Sequence, residues 1–131
     1  RIRYATGDLY RLLSTPCSCG ATLPLVTIEG RSTHNIIRKN GGIVTPADVD
    51  LAVADCPTID LYKLEQDEAG CLRFRYILNQ APSPDLLALQ QRISALCQTR
   101  DIIFEAVDYI ACERSGKFQS CISRYNGASH P

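Results

Sequence analysis

Alternation of apolar and polar residues in the middle of the chain predicts a β-hairpin. In residues 71–78, apolar side chains alternate with Arg73 and Arg75, and a period of two is typical of a half-buried antiparallel strand. Residues 59–65 form a second strand-like run, and the turn-forming segment 66–70 separates the two. We therefore expect paired strands with one face in a core and the two arginines on the other face.

Two further segments have the pattern of a helix. The first begins at Thr45, because threonine is a good N-cap, Pro46 suits the first helical position and Asp48 places a carboxylate in the first turn. It should end before Pro57. The second helix is capped by Ser83. Its apolar residues recur at helical spacing and are Leu86, Leu89, Ile93, Leu96 and Cys97.

The remaining apolar runs predict short strands. Residues 4–13 and 23–29 flank a turn cluster, residues 36–44 contain two apolar pairs around Asn-Gly-Gly, and residues 102–110 form a last run. The order of elements predicts an α+β fold, with a small antiparallel or mixed sheet, two helices on one face, and a preceding β-hairpin. Because two strands alone are marginal in water, that hairpin needs a partner sheet.

Composition narrows the class of protein. The chain has 131 residues, 45% apolar and 21% charged, which is a globular balance. Fourteen basic residues balance 14 acidic ones, so neither nucleic acid nor an anionic membrane surface is expected as a partner. No apolar run approaches the ~20 residues of a membrane-spanning helix. The first residues lack a signal core, so we expect a cytoplasmic location and a segment of a longer protein.

Seven cysteines raise the question of disulfides or metal. The odd count and the apolar surroundings of several cysteines favour a reduced chain. Cys17 and Cys19 lie on one tight loop and suit zinc as half of a site, with His34, Cys56 or another domain supplying further ligands. Free thiols in a loop are the favoured interpretation. A reactive redox pair ranks lower, because nothing in the sequence nearby indicates a depressed pKa.

A set of motifs, taken in order, resembles one family. The motifs are Tyr4-Ala5-Thr6-Gly7-Asp8, Pro16-Cys17-Ser18-Cys19-Gly20, Gly30-Arg31, Asn40-Gly41-Gly42 and Ser115-Gly116-Lys117. In these motifs the chain resembles the C-terminal part of the adenylate-forming enzymes, in particular the phenylacetate–CoA ligase-like branch, over essentially its whole length.

The resemblance implies an enzyme part. Residues 1–31 would be the terminal strands and hinge of a large adenylation domain, and residues 32–131 a mobile C-terminal lid. The whole enzyme would be an AMP-forming acyl- or aryl-CoA ligase that uses ATP with Mg to adenylate a small carboxylic acid and then passes the acyl group to CoA or a carrier thiol. The large N-terminal domain would hold most of the nucleotide and the acid, so the chain alone would be inactive.

The same resemblance implies roles for individual residues. Asp8 and Arg31 would bind the nucleotide, the carboxylate by accepting both ribose hydroxyls and the guanidinium by its forked donors. Thr33 would be the hinge. Lys117 would be catalytic, stabilising the charge that builds up when a carboxylate attacks the α-phosphate. Gly41 and Gly42 would lie where the incoming thiol cofactor approaches, although a hairpin turn alone explains both glycines.

A second hypothesis stays open on the sequence alone. The family commonly has aspartate where Thr33 stands and a proline shortly before the lysine, and this chain has neither. These departures favour a free-standing, non-catalytic binding or interaction module with the lid fold, stabilised by zinc on Cys17 and Cys19. The acid that is activated and the final acceptor are left open by the sequence, since the acid pocket would lie in the other domain.

Overall fold

The structure is a computed structural model that describes residues 7–80, 84–112, 114, 116 and 118–126. The predicted helix cap at Ser83 and the predicted catalytic Lys117 lie outside the described residues. The chain divides into two compact units, with the boundary after Ser32. Among the described residues, no helix has the length and apolar character needed to cross a membrane.

The first unit is a β-hairpin. Strands β1 (Asp8–Leu12) and β2 (Val26–Arg31) pair antiparallel, with an irregular register between Leu9 and Tyr10. A long loop joins the strands, and the Leu13 N–H donates a 2.9 Å hydrogen bond to the Leu25 carbonyl at the base of that loop. The predicted hairpin is present, and its strands are shorter than the apolar runs that predicted them.

The second unit contains a short hairpin, a four-stranded sheet and two helices. After a 3-10 turn (Ser32–His34), the elements are β3 (Ile36–Ile37), β4 (Ile43–Val44), α1 (Pro46–Ala54), β5 (Ile59–Gln66), β6 (Leu72–Leu78), α2 (Pro84–Cys97), β7 (Ile102–Ala106) and β8 (Cys121–Ser123). The sheet has the order β7-β6-β5-β8, in which β5 and β6 are antiparallel while β7 is parallel to β6 and β8 is parallel to β5. This confirms the predicted α+β fold with a mixed sheet and two helices.

The core lies between the sheet and the helices. Phe74 is at its centre, fully buried, with its ring stacked on Tyr62 at a centroid distance of 5.4 Å and tilted against Phe104 at 5.7 Å. Leu89 and Ile93 of α2 are also fully buried, as the helical spacing of the apolar residues requires. Alternate residues of β5 and β6 therefore face the helices, which confirms the predicted period of two.

The opposite face of the sheet is charged. Arg75 forms an ion pair with Glu65, and the Lys63 Nζ lies 3.7 Å from a Glu65 oxygen. Arg73 is exposed, as expected, whereas Arg75 is half-buried. Cross-strand ion pairing thus covers a face for which the sequence predicted only solvent.

Local signals predicted the first helix well. Thr45 is the N-cap of α1, its hydroxyl accepts from the Asp48 N–H, and the Asp48 carboxylate accepts from the Thr45 N–H. The result is a capping box with Pro46 at the first helical position. Prediction was less complete at the other end of the chain, where β7 ends at Ala106 rather than at residue 110 and β8 was not predicted.

Candidate functional site

Two of the predicted nucleotide-binding residues face each other at one end of the hairpin. Asp8 and Arg31 are direct partners in the β1–β2 register, and the Arg31 Nε lies 3.8 Å from an Asp8 carboxylate oxygen. The Ser32 N–H donates a 2.8 Å hydrogen bond to the Gly7 carbonyl, which extends the pairing beyond the strands. A carboxylate and a forked guanidinium therefore stand side by side on adjacent strands.

The exposure of this pair matters for its chemistry. The Arg31 side chain is 67% exposed and the Asp8 side chain 27%. An exposed ion pair of this kind contributes about 0–1 kcal/mol to stability. Carboxylate oxygens accept hydrogen bonds and a guanidinium donates them, so this strand end carries an acceptor and a donor group side by side.

The predicted hinge residue lies in the turn between the two units. Thr33 is exposed in the 3-10 turn Ser32–His34. Asn35, two residues later, is 1% exposed, and neither its amide nitrogen nor its amide oxygen has a hydrogen-bond partner among the described residues. Buried side-chain amides in native structures are ordinarily hydrogen-bonded to protein or to water.

The surroundings of Lys117 are described although that residue is not. Gly116 is exposed and has a φ of +77°, a left-handed conformation that glycine adopts without strain. Immediately before β8 begins, the chain is anchored to the sheet. There the N–H of Leu64, a residue of β5, donates a 2.7 Å hydrogen bond to the Ser120 carbonyl. A cavity of about 280 Å³ lies beside this segment, lined by His34, Pro46 and residues 118–121.

A polar cluster around the buried Tyr62 contacts the same segment. The Tyr62 hydroxyl, on β5, donates a hydrogen bond to the Asp50 carboxylate on α1. Burial raises the pKa of Tyr62, and the hydrogen bond to Asp50 raises it further. Ser120 also hydrogen bonds to this phenol. Sequence reasoning missed the cluster, because its members are 12 or more residues apart and none belongs to a recognisable motif.

The predicted Gly41 and Gly42 form the turn of the β3–β4 hairpin. Gly41 has a φ of +86°, and the Arg38 N–H and the Gly42 carbonyl close the turn with a 2.7 Å hydrogen bond. The Arg38 guanidinium donates to the Leu96 carbonyl at 2.9 Å, so the hairpin is fixed to the end of α2. A cation at that position also interacts favourably with the helix dipole. The thiol-cofactor role of the two glycines stays a prediction.

Cys17 and Cys19 lie in the exposed loop of the first unit, with their Sγ atoms 2.7 Å apart. Both are free thiols. Among the described residues, no group of three or more His, Cys, Asp or Glu side chains is arranged to hold a metal ion. Structural zinc takes four ligands, so the part of the chain that the structure describes does not supply a zinc site.

The chain was compared with known proteins by sequence and by fold. No protein-family model matches it, and a search of curated proteins gives no match. By fold, the chain is similar to part of the anthranilate–CoA ligase AuaEII in complex with anthranoyl-AMP, with 21% identity and a TM-score of 0.52 over 87% of this chain and 22% of the ligase chain. The chain therefore shares the fold of a portion of a CoA ligase.

A weaker likeness carries no argument of its own. The adenylation domain of a keto acid-selecting NRPS module bound to keto acyl adenylate matches with 16% identity and a TM-score of 0.43, over 89% of this chain and 20% of that one. The chain spans about a fifth of the length of both solved chains.

Proposed function

We propose that the chain is the C-terminal portion of an ATP-dependent acyl- or aryl-CoA ligase of the phenylacetate–CoA ligase-like kind. The observation that carries the proposal is the direct pairing of Asp8 with Arg31. Each residue was assigned to the nucleotide from a separate motif, and the two motifs meet at one end of one hairpin. The shared fold with part of an anthranilate–CoA ligase supports the same proposal.

The proposed first reaction is adenylation of a small carboxylic acid. A carboxylate oxygen forms a bond to the α-phosphorus of ATP, and pyrophosphate leaves with the electrons of the broken P–O bond. Asp8 accepts hydrogen bonds from the ribose hydroxyls, and Arg31 donates to the nucleotide. Lys117 places an ammonium group beside the α-phosphate, where one such group stabilises the transition state by about 3 kcal/mol. Mg and most of the ATP contacts belong to the large domain.

In the second step the thiol of CoA, or of a carrier, attacks the acyl carbon and AMP leaves. The lid, residues 32–131, rotates about Thr33 and brings the Gly41–Gly42 turn toward the incoming thiol. The exposed 3-10 turn, which has no buried residue, supports a hinge at this position, because a segment with few buried contacts opens at low cost. Alternation of this kind lets one small domain serve two reactions.

The hairpin supports a larger partner domain. Tyr10, Leu12, Val26 and Ile28 are all large apolar side chains that are 48–70% exposed. A larger neighbouring sheet would bury them. We propose that this neighbour is the large N-terminal domain, which also holds the acid, and that the chain has no ligase activity without it. A cytoplasmic location is part of the proposal, supported by seven free cysteines.

The test is pyrophosphate exchange by the protein that joins this chain to its large domain. Lys117→Ala should lower the exchange rate about 10²–10³-fold while leaving the Kd for ATP nearly unchanged, because the ammonium group acts on the transition state. Lys39→Ala is the matched control, since Lys39 is an exposed lysine in a surface ion pair with Asp101, and it should exchange normally. Normal exchange by Lys117→Ala would refute the catalytic assignment.

Asp8→Ala separates binding from chemistry. It should raise the Kd for ATP and for AMP, because the ribose hydroxyls lose their acceptor. Unchanged nucleotide affinity would refute the role of the hairpin end. A reading frame that contains no large domain would instead favour the free-standing module.

A further inference from the structure

The loop between β1 and β2 brings two thiols into contact. The Sγ atoms of Cys17 and Cys19 are 2.7 Å apart. A disulfide bond joins sulfur atoms about 2.05 Å apart, so an approach of under about 1 Å separates the free pair from the bonded one. Cys19 is exposed and Cys17 is partly exposed, so a small reagent reaches both sulfur atoms.

A tight turn holds the pair in this arrangement. The Gly20 N–H donates a 3.1 Å hydrogen bond to the Cys17 carbonyl, which closes a four-residue turn. Gly20 has a φ of +80°, a conformation that other residues adopt with strain. The Cys19 N–H also lies 3.5 Å from the Cys17 Sγ and donates to it. The contact between the thiols is therefore set by residues 17–20 alone.

The two sulfur atoms are not equivalent. The hydrogen bond from the Cys17 thiol, and then one from the backbone of Ala21, lowers the pKa of Cys19 below the ordinary value of 9.0. The thiolate is the reactive form of cysteine. The sequence alone gave no sign of a depressed pKa at this pair, and for that reason a redox pair ranked low. In the structure the pKa of Cys19 is lowered.

We propose that Cys17 and Cys19 form a dithiol site that is reversibly oxidised by a low-molecular-weight disulfide such as oxidised glutathione. The Cys19 thiolate attacks one sulfur of the small disulfide, the S–S bond of that molecule breaks, and one small thiolate leaves. The Cys17 thiol then gives its proton to that thiolate, and the Cys17 sulfur attacks the Cys19 sulfur. The bond between Cys19 and the remaining half of the small molecule breaks, and a second small thiolate leaves. Two protein thiols lose two electrons and two protons, and the small disulfide becomes two thiols.

The alternative use of such a pair is metal binding. Zinc requires two further ligands, and the described residues do not bring a third candidate ligand to the pair. A disulfide requires only the two sulfur atoms that are already in contact. The observations therefore favour oxidation.

The experiment follows the two cysteines in one peptide. Trypsin releases residues 12–31 as a peptide that contains Cys17 and Cys19 and none of the other five cysteines. The reduced chain is incubated with oxidised glutathione at pH 7.5, alkylated and digested with trypsin, and the peptide masses are measured by mass spectrometry. We expect the mass of this peptide to fall by two hydrogens and its cysteines to resist alkylation. This oxidation should be several-fold faster than the addition of glutathione to the exposed single thiols Cys71 and Cys112. Dithiothreitol should restore the two free thiols.

Single variants identify the order of the two steps. Cys17→Ser should retain glutathione on Cys19, because the attacking second thiol is gone. Cys19→Ser should react several-fold more slowly than Cys17→Ser. Cys71→Ser is the matched control, since it removes one exposed cysteine outside the loop, and peptide 12–31 should oxidise in it at the normal rate.

Three results would overturn the proposal. The first is a peptide 12–31 that stays fully alkylated while Cys71 and Cys112 carry glutathione. The second is a disulfide that links two chains through this loop, seen as a dimer on a non-reducing gel. The third is stoichiometric zinc in the purified protein whose removal is required before Cys17 and Cys19 react.

Discussion

The β1–β2 hairpin and the four-stranded sheet are made of similar strands but keep their apolar side chains in opposite environments. In the sheet, Leu64 and Phe74 are fully buried under the helices. In the hairpin, Leu12 is 70% exposed and Ile28 is 68% exposed. Burial of apolar surface is the main favourable term in folding. The second unit is therefore stabilised by its own core, whereas the hairpin is stabilised far less in this way.

Buried cysteines occur in the second unit alone among the described residues. Cys97 and Cys121 pack in its core, although Cys71 and Cys112 are exposed, whereas Cys17 and Cys19 lie in the exposed loop of the hairpin. A buried thiol behaves as a small apolar side chain, and an exposed thiol with a lowered pKa is more reactive. The second unit thus keeps apolar side chains and thiols in a core, and the hairpin leaves its own at the surface. Five predictions test this contrast, from the largest expected effect to the smallest.

Removal of the central ring should nearly abolish the stability of the second unit. Phe74→Ala should lower the free energy of unfolding by about 3–5 kcal/mol, since it leaves a cavity under Tyr62 and Phe104. Urea denaturation followed by circular dichroism measures the loss. Ile103→Ala, at a 54% exposed position on the neighbouring strand β7, should change the value by only about 0.5 kcal/mol. A small effect of Phe74→Ala would contradict the assigned core.

The buried thiols of the second unit should react about 100-fold more slowly than Cys19 of the hairpin. Burial raises the pKa of Cys97 to about 11 and that of Cys121 to about 12, so few of these thiols are ionised at pH 8, whereas Cys19 has a lowered pKa. Timed alkylation of the native chain, with peptide masses, measures each rate. Cys97 and Cys121 should approach the rate of Cys19 only after unfolding in urea.

The same raised pKa values give stability a pH dependence. In the unfolded chain these thiols ionise near the ordinary value of 9.0, while the folded chain keeps their protons until about pH 11. The contribution of these buried thiols to the free energy of unfolding is therefore complete below pH 9, and it is lost as the pH rises from there toward 11. A flat unfolding free energy across that interval would contradict the burial of the two thiols.

Loss of the capping box should have an intermediate effect. Thr45→Ala removes the acceptor for the Asp48 N–H and should lower the free energy of unfolding by about 1 kcal/mol. Thr15→Ala removes the same hydroxyl from the exposed hairpin loop and should have no measurable effect. Equal losses in the two variants would remove the distinction between the units.

Polar substitution of the exposed hairpin face should have the smallest effect on folding. Ile28→Ser should change the free energy of unfolding of the isolated chain by under about 0.5 kcal/mol. It should also reduce self-association in sedimentation experiments, because contiguous exposed apolar surface promotes association. A loss above about 1 kcal/mol would show that the chain itself already buries this side chain.

Local signals explain which parts of the fold were predictable. The β3–β4 and β5–β6 hairpins were predictable because their apolar runs and turn residues lie within a few positions of each other. Helix α1 was predictable because Thr45, Pro46 and Asp48 form one short signal. Strand β8 was not readable. Its three residues pair in parallel with β5, and the register partners Cys121 and Leu64 are 57 positions apart in the sequence. A parallel pairing needs no tight turn between its strands, so no turn residues predict it.

The candidate site was predictable as residues and not as geometry. Motif resemblance selected Asp8 and Arg31 separately, while their contact depends on the antiparallel register of β1 and β2 and its irregularity after Leu9. The lowered pKa of Cys19 depends in the same way on the turn that aims Cys17 at it. Both are properties of three-dimensional arrangement, which a list of residue types does not contain.

The placement of β8 affects how the domain is made during translation. Strands β5 and β6 are synthesised well before residues 121–123, and until those residues pair with β5, that strand has one unpaired edge. An open strand edge invites pairing with other chains. A nascent chain stalled before Cys121, or a product of premature termination there, would therefore be a substrate for chaperones or a seed for aggregates.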